Sequence, residues 1–256
     1  MAIEQQERPA GEVCAVELLN VLVLLVVAAG AACQVLSGVG FALVCTPFLV
    51  LTVGHDQGVR TVLAMSILLN IVILLRSFRQ VRLGDAFRLL LPAAVLVVPA
   101  ITLANTVRTP FLSALAGAVI LLATALIVAG RALPWLEGTR GAVIAGATSG
   151  VFNVLAAASG PPVALFAAQR RWPPIVATAT LQAFALPLNV VTLALLRPIS
   201  SDAAGLGWAL TGLVLGTVIA SFFSTRVPPR AVRSVTLSIA GLGGATLLIT
   251  GLMTIA

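Results

Sequence analysis

Lysine and tyrosine are absent from this 256-residue chain, histidine occurs once, and charged residues make up only 9%. A soluble domain carries about a quarter of its residues as Asp, Glu, Lys or Arg, so an ordinary water-soluble globule is excluded. Disorder is excluded as well, because disordered chains are rich in charge and poor in aliphatics, whereas 60% of this chain is hydrophobic. Aromatics are scarce at 5% and the apolar runs are continuous rather than alternating, which argues against an outer-membrane β-barrel. The three cysteines, Cys14, Cys33 and Cys45, show no metal-ligand spacing and cannot all pair with one another. Cys33 and Cys45 lie in apolar surroundings, where a cysteine behaves as a small hydrophobe. No catalytic, metal or cofactor site is expected, because an intramembrane enzyme needs a nucleophile–base or metal constellation within its apolar segments.

What is present is long apolar sequence, with a mean hydropathy of +1.13. A spanning helix needs about 20 mostly apolar residues. The expected class is an all-α polytopic membrane protein embedded in a lipid bilayer. Charge, Pro and Gly mark off ten apolar runs: Leu18–Ser37, Gly40–Val53, Val59–Leu75, Phe87–Val107, Phe111–Gly130, Gly141–Ala158, Gly160–Ala168, Ile175–Leu196, Ala204–Phe223 and Val232–Ile255. Eight have spanning length; the runs from Gly40 and Gly160 are too short. Residues 1–17 read as an acidic N-terminal tail, with Glu4, Glu7, Glu12 and Glu17 against Arg8. A cleaved signal peptide is not expected there, since such peptides begin positively charged.

The chain repeats itself. A shift of 119 residues places Gln34 on Asn153, Gly40 on Ser159 and Asn70 on Asn189, and the two short runs coincide. This predicts two transmembrane repeats of about five segments, 18–130 and 141–255, joined by a loop at 131–140. All fifteen basic residues are Arg and the net charge is +7. Arg in the loops of a membrane protein ordinarily sets topology, and no run is long enough to make a nucleic-acid face. If both short runs cross, eleven Arg fall on one side and four on the other; if both re-enter, the split is eight to seven. The positive-inside rule prefers crossing. Five crossings per repeat then orient the repeats oppositely, an inverted repeat with both termini outside.

Paired short, Gly/Pro-interrupted segments in corresponding halves point to a transporter binding site. Here they are Ser37-Gly38-Val39-Gly40 with Thr46-Pro47, and Ser159-Gly160-Pro161-Pro162. Gly permits unusual dihedrals, Pro suits a helix start, and a helix N-terminus offers free N–H groups to an anion. Gln34 and Asn153 precede the breaks, and Asn70, Gln182 and Asn189 lie in the following spans. Each could bond substrate oxygens or join helices. No Asp or Glu lies in mid-span, as an anion site requires. His55 and Asp56 fall in a connection, Gly54-His55-Asp56-Gln57-Gly58, where a lone histidine is expected to face solvent, proton coupling being the alternative. Arg60 either snorkels or neutralises an anion. Gly241-Leu242-Gly243-Gly244 in the last span allows close helix contact, within one bundle or in a homo-oligomer.

The segment Gly30-Ala31-Ala32-Cys33-Gln34-Val35-Leu36-Ser37-Gly38-Val39-Gly40-Phe41, followed by Thr46-Pro47-Phe48-Leu49, resembles the first signature of the sulfite exporter TauE/SafE family. The second half repeats it as Gly146-Ala147-Thr148-Ser149-Gly150 and then Ala157-Ala158-Ser159-Gly160-Pro161-Pro162, with Ala157 and Ser159 where the family commonly has glycine. The resemblance implies a transporter of small anions, such as sulfite or sulfonates including sulfoacetate, in the cytoplasmic membrane. It also implies about eight spans. The expectation is therefore a secondary transporter holding a small, sulfur-containing anion between the breaks, with one half rocking against the other. The alternative is a non-transporting structural or assembly subunit.

Overall fold

The computed structural model describes residues 10–129, 137–196, 203–223, 226 and 228–255. Every apolar run forms a helix: α1 (Ala10–Ser37), α2 (Phe41–Val53), α3 (His55–Ser77), α4 (Leu83–Ala104), α5 (Thr109–Ala129), α6 (Gly138–Ala156), α7 (Gly160–Gln169), α8 (Pro174–Leu195), α9 (Ala203–Phe223) and α10 (Pro229–Ile255), with a short 3-10 turn at Phe78–Gln80. Seven of these are long and apolar enough to cross a membrane. The protein is an all-helical, multi-pass membrane protein. Bulky side chains such as Leu75, Phe87, Val95, Leu103, Phe222 and Met253 stand exposed around the bundle, an arrangement that water would penalise and lipid accommodates.

Three differences from the sequence reading have simple causes. α6 spans 19 residues but is not among the seven apolar helices, because Arg140 together with Gly, Thr, Ser and Asn dilutes it. α1 begins at Ala10, eight residues inside the segment read as tail, since Ala10–Glu17 contains no proline and its one glycine, Gly11, falls in the first turn. His55 and Asp56 are not in a loop: a single residue, Gly54, turns the chain, and they open α3. The loop arginines Arg8, Arg131 and Arg197 and the side chains of Cys14 and Arg230 lie outside the described residues.

The short helices fold back on the helices before them. Cys45 and Phe41 of α2 lie against Gly30 of α1, and the Phe41 N–H reaches Gln34. At the next turn Gly58 of α3 abuts Leu49 and Val50 of α2. In the later half Gln169 at the end of α7 bonds Glu137 just ahead of α6 at 2.9 Å, and Gly160 of α7 lies near Leu181 of α8. Thus α1 and α3 run one way and α2 the other, and the same holds for α6, α8 and α7.

Contacts between the halves are intimate. α1 runs beside α9 and α4 beside α6, each as a parallel pair; α5 and α10 form an antiparallel pair, and α3 meets α8. Small residues make these approaches feasible, as in other membrane bundles. Gly212 and Gly216 of α9 lie on the Leu24 and Ala28 carbonyls, and Gly146 and Gly150 of α6 lie on those of Leu89 and Ala93. Gly243 packs on Pro47 and Gly244 on Ile120 and Leu121, so these two glycines are used inside the bundle. Two apolar cores result. One joins α1, α2, α3, α5, α9 and α10 with Phe152 and Ala156 at the end of α6, and the other joins α4, α7 and α8 with the rest of α6. The cores therefore cut across the sequence halves.

Candidate functional site

The break after α1 turns on Gly38 and Gly40, whose φ angles are +78° and +144°. Both lie where an L side chain is strained. A Cβ on Gly38 would also collide with the Thr178 hydroxyl, and one on Gly40 would approach Thr236 Cγ2 at 2.9 Å. The first-turn N–H groups of a helix have no intrahelical acceptor. Here the Phe41 N–H donates to Gln34 Oε1 at 3.1 Å.

The break after α6 is built differently. Ala157 takes the left-handed conformation, with φ 52°. Its N–H donates to Asn153 O at 2.9 Å and that of Ala158 to Phe152 O at 3.3 Å, a helix-ending motif in which this position is usually Gly. The last carbonyls of α6 are taken by the other half: Thr46 Oγ1 donates to Ala156 O at 2.8 Å, and His55 Nε2 lies 3.0 Å from Leu155 O. α7 then starts at Gly160, with Pro161 and Pro162 in its first turn.

The N-termini of α2 and α7 face one cavity of about 40 Å³, room for one to a few waters or a similarly compact group. Of the residues expected at a site, Gln34, Gly40, Asn70, Ser159, Gly160, Pro161 and Asn189 line it. Asn70 and Asn189 are buried, and Asn70 Nδ2 and Asn189 Oδ1 have no hydrogen-bond partner. A buried amide without partners costs about 1–3 kcal/mol, and a bound oxyanion would relieve that cost at Asn70. Among the described residues, no Asp or Glu lines the cavity.

The other expected residues stand outside it, in supporting positions. Ser37 bonds the Cys33 and Val39 carbonyls, holding the first break. Gln182 Nε2 donates to Gly38 O at 3.3 Å, and Asn153 Nδ2 to Thr192 Oγ1 at 3.0 Å. Thr46 ties α2 to α6, and Pro47 packs on Gly243. Cys33 and Cys45 are buried free thiols that do not line the cavity. Sequence reasoning missed Ser66 and Val39, which do line it. Ser66 lies one helical turn before Asn70, so the i, i+4 rule would have found it.

Two larger vestibules flank the cavity, at opposite ends of α5 and α8. One, of about 390 Å³, is lined by Ser37, Gly38, Thr178 and Arg233 and shares Val39 and Leu43 with the cavity. The other, of about 380 Å³, is lined by His55, Asp56, Arg60 and the ends of α4, α5, α6 and α8. Arg60 thus faces a vestibule and can attract an anion toward it. His55 is 4% exposed, contrary to the solvent-facing expectation, because α3 begins directly after Gly54 and turns the ring onto the end of α6.

Helical hairpins that meet tip to tip at a small polar cavity inside an apolar bundle define a polytopic membrane transporter architecture. The chain belongs to the sulfite exporter TauE/SafE family, whose model matches residues 22–254. No curated protein and no solved structure matches it.

Proposed function

We propose that the protein is a secondary transporter of a small oxyanion, with sulfite and related sulfur compounds as the first candidates. The anion is held in the cavity between the two breaks. The observation that carries this reading is the convergence of two helix N-termini on one small cavity, together with the unpartnered Asn70 amide nitrogen. The positive ends of both helices suit an anion; the N–H donors come chiefly from α2, since Pro161 and Pro162 in the first turn of α7 have none. The cavity volume favours a compact group over a large organic one.

In this reading α1–α5 and α6–α10 are an inverted repeat. The antiparallel course of the matched helices supports it: Gly117 lies on Leu248 while Gly251 lies on Ala114 in α5 and α10, and Asn70 and Asn189 line one cavity while Arg82 N–H bonds Thr180 at the other end of the α3–α8 pair. The moving bodies are the two packed cores rather than the two halves of the sequence, because α4 and α9 are each packed with helices of the opposite half.

The test is flux into proteoliposomes with sulfite, sulfoacetate, thiosulfate and small carboxylates. Flux of at least one of them, lost in Asn70→Leu, is expected. Absence of flux for every anion, in protein that is monodisperse and helical, overturns the reading in favour of a structural subunit.

A further inference from the structure

The His55 ring lies between two acceptors. Nε2 is 3.0 Å from Leu155 O, and Nδ1 is 3.1 Å from Asp56 Oδ1. A carbonyl and a carboxylate can only accept, and a neutral imidazole carries one N–H. Both contacts are hydrogen bonds only when the ring carries two protons. The site is therefore complete as an imidazolium; a neutral ring keeps its one proton on Nδ1, toward the carboxylate as the stronger acceptor, and gives up the Leu155 carbonyl.

One of those links lies on the substrate cavity's own wall support. Leu155 is two residues before Ala157, the left-handed hinge of the second break, and Ala157, Ala158 and Ser159 line the cavity. The Leu155 carbonyl is an orphan of the α6 C-terminus, and no intrahelical donor can replace His55 there. The proton has a route: His55 and Asp56 line the vestibule of about 380 Å³, and the Asp56 side chain is 64% exposed while that of His55 is 5% exposed. Among the described residues, the charged groups facing this vestibule are Asp56 and Arg60 of α3, and the lining residues from α4, α5, α6 and α8 are uncharged. α2 carries no charged residue, and Arg108, ahead of α5, lines a separate pocket with Pro110 and Thr254.

We infer that His55, with Asp56 as its proton-collecting partner, is a proton-binding site that couples proton movement to anion movement in the same direction. This rests on the transporter reading. A proton on His55 holds the end of α6, and with it the second wall of the cavity, in the arrangement that receives the anion. It also adds positive charge on the side from which the anion enters. By linkage, the anion then raises the affinity for the proton as the proton raises that for the anion.

The experiment uses the full chain in proteoliposomes held at zero membrane potential. Thiosulfate and sulfoacetate serve as probes, because their charge does not change across about pH 5–8, where histidine side chains titrate; sulfite itself titrates there. An acid-outside gradient of one pH unit should drive about tenfold accumulation of thiosulfate with one proton per anion. A trapped pH dye should report proton entry when thiosulfate is added. His55→Gln keeps one donor for Leu155 O but cannot titrate, and Asp56→Asn removes the charged acceptor that requires the second proton. In both variants thiosulfate should still run downhill, at a reduced rate, with the accumulation ratio falling toward one. Downhill flux without accumulation in the wild-type protein, or tenfold accumulation retained in His55→Gln, overturns the inference while leaving the transporter reading intact. If His55→Gln does not fold, tenfold accumulation by Asp56→Asn overturns it equally. Absence of downhill flux of every anion overturns both.

Discussion

The two breaks occupy matched positions in the chain and reach the same end by different chemistry. The first relies on glycine: Gly38 and Gly40 adopt dihedrals that L side chains avoid, and the Gln34 amide caps the helix that follows. The second has Ala157 in a left-handed conformation, two prolines in the first turn of α7, and an α6 end held by Thr46 and His55 from the other half. A break made of glycine has its flexibility built in. A break made of Ala and Pro is shaped by what grips it from outside, so it responds to changes elsewhere, including the protonation of His55.

The sharpest way to break this comparison is to add one methyl group to each side. Gly38→Ala meets both the positive φ, about 1–2 kcal/mol, and a collision with Thr178, about 1–3 kcal/mol. A loss of about 2–5 kcal/mol should appear as a large drop in thermal stability in detergent. Gly160→Ala, in a helical turn with Val39 Cγ1 at 3.1 Å from the new Cβ, should cost less than about 1 kcal/mol. Equal effects of the two would remove the asymmetry.

The shared wall comes next. Asn70→Leu should weaken thiosulfate binding by about 10–100-fold, the worth of one hydrogen bond to a charged group. Thermal stability should hold or rise slightly, because the variant removes a buried amide nitrogen that has no partner. Binding measured by calorimetry and melting measured separately would distinguish this from a structural role, which predicts a stability loss instead.

Gln34→Ala removes the cap on Phe41 and should cost about 1–2 kcal/mol. The matched Asn153→Ala removes only the bond to Thr192 and should cost about 1 kcal/mol, so the order of their melting temperatures tests whether the first break depends more on its amide. The smallest effect, and of opposite sign, is Ala157→Gly. It relieves the left-handed strain and should stabilise by about 1 kcal/mol. A destabilisation would mean that the second break is held by its own rigidity rather than by Thr46 and His55.

Much of the architecture was legible before any coordinates. Hydropathy located all ten helices, because a bilayer demands continuous apolar runs whose ends are marked by Arg, Gly and Pro. The shift that superposes Asn70 on Asn189 brought together two residues that share the cavity wall. The role of Gln182 was not legible: a polar residue in a span reads the same whether it touches substrate or, as here, the Gly38 carbonyl. His55 was misread for a related reason. Its neighbours Gly54, Asp56 and Gln57 suggest a loop, yet its partner Leu155 lies 100 residues away, and no local pattern encodes that contact.

The sequence by itself determined the solvent, the number and approximate place of the helices, and the two places where they must break, because each of these follows from local composition and backbone chemistry. Only the tertiary structure decided which helices form a body and which polar groups face the cavity. α4 with α6 and α1 with α9 pair through glycine-on-carbonyl contacts that fit only when distant segments meet. An amide's role is likewise set by whichever partner packing brings within hydrogen-bond reach.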